Sequence, residues 1–243
     1  MDLTKEAIQH IQESAIQPED RHIIIGEDRN FIVDTDGRAK EIERIKTEPL
    51  ETSTLSSVVE YIKNLDYRTT EKLYLHILDE KTVILKSALS IDSTRDCLIQ
   101  AAAIVPSQDF NHFKDAETLN IELQSKFQDN EDRDVLLQVI GNIKDEHVQN
   151  TSDDGISQQV TIKQGVATVA PVKVPNPVTL TPFSTFQEVE QPKRLFIFRM
   201  REGAQGALIA TDDNAWKLRA IQSIKEYFEF ELAEVEQDVV ILA

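Results

Sequence analysis

The chain has 243 residues, 40% of them hydrophobic, enough for one large domain or two small ones around a buried core. Lys and Arg number 26 against 43 Asp and Glu, and a net charge of -17 repels a phosphate backbone, so direct nucleic-acid binding is not expected. Cys97 is the only cysteine, which excludes an internal disulfide and a cysteine-built zinc site and fits a reducing compartment.

The first segment, MDLTKEAIQHIQESAI, lacks the basic start and apolar run of a secretion signal. No apolar stretch of roughly 18 residues occurs, so a cytoplasmic protein without a membrane span is expected. Residues 3 to 16 place Leu3, Ala7, Ile8, Ile11 and Ala15 at helical spacing, and Pro18 closes that helix. HIIIGEDRNFIVDTDG then reads as a β-hairpin in which Asp36-Gly37 suits a turn needing positive φ. In TSTLSSVVEYIKNL, Leu55, Val58, Val59 and Ile62 recur at helical spacing behind Ser53 or Thr54 as cap.

KLYLHIL, TVILKSAL and DCLIQAAAIV are three apolar runs parted by polar turns, predicting consecutive antiparallel strands that end at Pro106. Helical patterns over 115 to 127 and 131 to 143 form a helical hairpin. From about residue 151 the chain becomes rich in Val and Thr and is broken by Gly165 and by Pro175, Pro177 and Pro182, as edge strands and bends require. RLFIFRM and GALIAT read as a strand pair. DNAWKLRAIQSIKEYFEFEL reads as the last helix, capped by Asp212 or Asp213, with DVVILA a closing strand. The fold class is α+β: antiparallel sheets, a helical hairpin in the middle, and a long C-terminal helix followed by a short strand. The softest joint is 148 to 156, giving three regions, 1–48, 49–150 and 151–243, that can also form one continuous domain.

No motif announces a reaction. DTDG at 34 to 37 begins like a calcium loop, but Arg38 and Ile45 stand where ligands are needed. SDDG at 152 to 155 and TDDN at 211 to 214 read as a turn and a helix cap, so neither a metal nor another cofactor is expected. The five histidines are scattered, and Cys97 opens an apolar run where a small buried thiol is the usual occupant. There is no Gly-rich phosphate loop, H-E-x-x-H or G-x-S-x-G. Alternation in RLFIFRM puts Leu195, Ile197 and Arg199 on one face and Phe196, Phe198 and Met200 on the other. Arg199 then either caps the core with its head paired to Glu188 or Glu190, or clamps an anion beside Gln191. Arg194 is a second candidate for an anionic ligand, while Trp216, Phe186 and Phe198 are expected as structural anchors.

In order along the chain, TSTLSSVVEYI, LNIELQSKF, DDGISQQVTIKQGV, VPNPVTLTPFSTFQEVEQPKRLFIFRM and AWKLRAIQSIKEYF resemble the YfdQ-like family of bacteriophage and prophage proteins, a family of unknown function. The resemblance runs from about Pro49 onward, is densest over 153 to 228, and is nearest to forms from phages of Gram-positive bacteria. Where the family often reads P-x-R-T-F this chain has Ser184, and where it reads D-G-G-x-W this chain has Asp213-Asn214 before Ala215-Trp216. The resemblance implies an early phage protein acting in the host cytoplasm. The function expected from it is that of a non-enzymatic homo-oligomer binding a host protein in host takeover or counter-defence. The alternatives are a sponge for a small anionic signal, a metal-dependent nucleotide- or nucleic-acid-processing enzyme, and a virion component.

Overall fold

The computed structural model describes residues 4–15, 21–25, 29–34, 37–42, 48–65, 72–90, 93–141, 151–153, 158–160, 163–164, 167–168, 172–201 and 204–243. The fold is α+β, built from two helix-covered sheets and smaller β units.

The first helix, α1 (Lys5–Ser14), is capped by Thr4, whose hydroxyl accepts from Ala7 N. The predicted hairpin gains a third strand: β1 (His22–Ile25), β2 (Arg29–Val33) and β3 (Ala39–Glu41) form an antiparallel sheet in that order. The turn into β3 carries Gly37 at φ +78°, the left-handed conformation anticipated for it, closed by Gly37 N donating to Asp34 O.

One large sheet joins β4 (Leu50–Thr52), β5 (Leu73–Asp79), β6 (Thr82–Lys86), β7 (Cys97–Ala102) and β17 (Val239–Leu242), in the order β17-β5-β6-β7-β4. The strands β5, β6 and β7 are antiparallel neighbours, as the sequence predicts. The sheet is nevertheless mixed, because β4 runs parallel to β7 and β17 parallel to β5. The closing strand therefore sits at one edge of its own molecule's sheet. Leu73, Leu75 and Ile77 alternate toward the core and meet α2 (Leu55–Lys63) through Leu55, Val58, Val59 and Ile62. The long α5 (Ala215–Glu231) adds Ile224 and Phe228 to the same cluster. Thr54 caps α2 from its side chain.

The second sheet has the order β14-β15-β16-β8, from β14 (Val178–Leu180), β15 (Arg194–Arg201), β16 (Gln205–Ala210) and β8 (Lys114–Asp115). The helical hairpin of α3 (Ala116–Lys126) and α4 (Glu131–Gly141) covers it, bringing Leu119, Leu123, Leu136, Val139 and Ile140 against Phe196, Phe198 and Leu208. A Cβ on Gly206 would lie 2.7 Å from Leu119 Cδ2, so any larger residue there would make the Leu119 side chain shift. The proline-bracketed β14 lies at the sheet edge, as its composition requires. Just before it, Asn176 extends the ladder with its side chain, accepting from Phe198 N at 3.0 Å and donating to Phe198 O at 3.2 Å.

Short strands β9 (Thr151–Asp153), β10 (Gln158–Val160) and β13 (Val172–Val174) make a further sheet, and β11 (Lys163–Gln164) pairs with β12 (Ala167–Thr168). Most of the expected joint at 148 to 156 lies outside the described residues. The stretches 49–150 and 151–243 exchange elements, since β8 joins the second sheet and β17 the first.

Candidate functional site

The alternation of β15 decides where its charges go. Phe196, Phe198 and Met200 face the core, and Arg194 shares their side of the strand with them. A guanidinium on that face must be paired, and Asp212 pairs it: Nε donates to Oδ2 at 3.0 Å and Nη2 to Oδ1 at 2.9 Å, a fork-to-carboxylate contact. Both side chains are only 8% exposed. The guanidinium carbon lies 4.8 Å from the Trp216 ring centre and 5.3 Å from those of Phe110 and Phe196, so the cation is packed among aromatic rings.

This arrangement corrects two sequence-based assignments. Asp212 is a partner of Arg194, and the cap residue of α5 is Asn214, in left-handed backbone at φ 72° with no side-chain cap bond. The arginine with its head paired at the core is Arg194. Arg199 lies on the opposite face of β15, where Nη1 donates to Phe198 O at 3.2 Å, so the two arginines do not converge on one ligand. Parity along the strand carried this information, because Arg194 shares its register with Phe196.

Above the ion pair opens a cleft of about 550 Å³, lined by Gln108, Asp109, Asn111, Arg194, Thr211 and Asp213 among others. Gln108 shapes one wall: its Nε2 donates to Phe183 O and Ser184 Oγ, and its Oε1 accepts from Arg194 Nη1 at 3.5 Å. Asn111, at φ 69°, docks beside β16 by donating N–H to Leu208 O and accepting from Ala210 N. Arg194 is already neutralised by Asp212, and Asp109 and Asp213 add negative charge, so the cleft suits neutral or cationic groups better than the anion for which Arg194 was considered.

The other candidates hold a strap, residues 181–193, that ties the two sheets together. Its start lies on the second sheet's side, with Gln128 N donating to Thr181 O and Phe183 N to Lys126 O. Its middle enters the first core through Phe186 and Val189, while Thr185 Oγ1 donates to Glu80 O in the β5–β6 turn. Gln191 staples the strap from within: Oε1 accepts from Ser184 N and Thr185 N, and Nε2 donates to Phe186 O and Val189 O. All its hydrogen-bonding capacity is used locally, leaving none for an anion beside Arg199. Glu188 accepts from Ser56 N at 3.0 Å and Ser56 Oγ at 3.1 Å, placing a carboxylate at the positive end of α2. The expected anchors are buried: Phe186 in the first core, Phe198 in the second, and Trp216 against Arg194.

Cys97 is half-buried, and burial pushes its thiol above the ordinary range against the weaker opposing pull of Lys86. Among the described residues no three His, Cys, Asp or Glu side chains gather where they could hold a metal ion. None of their helices is long and apolar enough to cross a membrane. No family model, curated protein or solved structure matches the chain.

Proposed function

We propose that the chain is a non-enzymatic binding protein, early-acting in a phage as its resemblance implies, that assembles with copies of itself and engages a host factor in the bacterial cytoplasm. The observation that carries this reading is one face of the β1–β2–β3 sheet. Register puts Ile24 opposite Asn30, Asn30 opposite Ile42, and Ile32 beside them on the same side. These three isoleucines are 61%, 49% and 44% exposed. Ile8 and Ile11 of the amphipathic α1 are exposed as well. Such apolar surface is costly in water unless a partner covers it, and closed symmetric assembly covers it in every copy at once. A binding role is also supported by where the reactive-looking residues go: Arg194, Asp212, Gln191 and Glu188 are all engaged in holding the fold.

Light scattering on the full chain tests the assembly. A stable multiple of the 27.6 kDa mass is expected, falling toward a single chain when Ile24, Ile32 and Ile42 are all replaced by serine. A wild-type mass of one chain at every concentration would overturn the reading.

A further inference from the structure

A second apolar surface lies far from that sheet in sequence, at the carboxyl end of α5. Between the last turn of α2 and the turn that follows α5 runs a groove of about 1040 Å³. Half-buried Leu65 and Val235, backed by the buried Ile62, form its apolar base, and Phe230 stands over it 80% exposed, the most exposed large hydrophobic side chain among the described residues. Phe230 is not spare core: α5 already buries Trp216, Ala220, Ile224 and Phe228 on its inner side. The rim of the groove is acidic. Among the described residues Glu231, Glu234, Glu236 and Asp238 line it, against Lys63 as the one basic lining residue, and Lys63 is paired with Glu231 at 3.5 Å. Lys72, just outside, lies 3.3 Å from Asp238. Four carboxylates thus face two lysines around an apolar floor.

We propose that this groove docks a basic amphipathic segment of a partner protein, in which leucine-like side chains alternate at helical spacing with lysine or arginine. The inference rests on the binding-protein reading above and gives it a surface and a partner chemistry. Apolar side chains of such a segment cover Leu65 and Val235, its cations meet the acidic rim, on which two of the four carboxylates are already paired with Lys63 and Lys72, and an arginine or lysine can stack on the exposed Phe230 ring. The charge of the whole chain, -17, steers a basic partner in from a distance, and the groove supplies the apolar contact that makes one place preferred.

The test uses the full chain and a fluorescein-labelled helical peptide of leucine and lysine, followed by anisotropy at ~0.15 M salt. The groove variant carries Phe230→Ser, Glu234→Lys and Glu236→Lys. A control carries Glu48→Lys and Glu51→Lys, exposed positions at the β4 side of the large sheet, away from β17. Circular dichroism confirms that both variants keep the fold. Binding should weaken by about tenfold or more in the groove variant, the equivalent of about 1.4 kcal/mol, and by about twofold or less in the control. Equal weakening in both variants would reduce the attraction to general charge and overturn the proposal, as would no binding by the wild type. Light scattering on the same groove variant separates the two readings. Retained assembly with lost peptide binding supports the groove, whereas lost assembly would mean that a second copy of this chain occupies it and would also overturn the proposal.

Discussion

Arg194 shows how a single charged side chain is made tolerable in a protein interior. Its cost of desolvation is offset by a two-point contact with Asp212, by packing among Trp216, Phe110 and Phe196, and by Gln108 on the remaining side. Removing one partner leaves the other charge buried and alone, so Asp212→Asn should lower unfolding free energy by about 3 to 5 kcal/mol. Following it with Arg194→Met should recover part of that loss. A double-variant cycle by urea unfolding checks this, and strictly additive losses would show that the two side chains do not act as a pair. The period-two pattern of RLFIFRM put Phe196 and Phe198 inward from sequence alone. Extended back by one pair it also puts Arg194 inward, but nothing local reveals that Asp212, which looks like a helix cap beside Trp216, turns to meet it. Capping preference is a local tendency, and the buried guanidinium outweighed it.

At the scale of elements, α3 is held by charge as well as by its apolar face. Asp115 caps it, accepting from Thr118 N and Thr118 Oγ1, and these bonds hold its carboxyl below the usual range. Glu122, about two helical turns further along, is pushed up by burial, but Lys114 and Lys126 bond it from either side and bring it below its ordinary value on balance. A carboxylate depressed in the folded state contributes stability above its unfolded pKa of about 4.3 and loses it as pH falls through the lower folded value. Glu122→Gln should therefore be less stable than wild type at neutral pH, and the gap should close as the pH is taken below about 4. Urea midpoints across that window test it, and a gap that stays constant would rule out the ion pairs as its cause. The helices were the readable part of this protein, because residues such as Val58, Val59 and Ile62 repeat at the helical period and Thr54 marks the start. The antiparallel β5–β6–β7 succession was readable for the same reason, with polar turns between apolar runs. The parallel partners of β4 and β17 were not, since the three residues of β4 carry one apolar side chain and the four-residue apolar run of β17 fits either edge of a sheet.

For the whole molecule, the strap at 181–193 links the two cores through one short length of chain. Phe186 and Val189 belong to the first core, while Leu180 and Phe196 on either side of the strap belong to the second. Gln191 fixes the geometry between them, so the cores should lose structure together. Trp216, the only tryptophan, reports from beside Arg194, and far-ultraviolet circular dichroism reports on all elements. Their urea curves should coincide in the wild type and move down together in Gln191→Ala; separate midpoints in the wild type would mean that the cores unfold independently. The parallel pairing of Val239 to Leu242 with Leu73 to His76 has a kinetic consequence. Closing a loop that spans most of the chain is slow, and no local contact can substitute for it. Until that closure occurs, β5 keeps a bare edge of backbone donors and acceptors beside an otherwise formed sheet. The interval before β17 docks is thus when a second chain can add its own strand to β5 in its place.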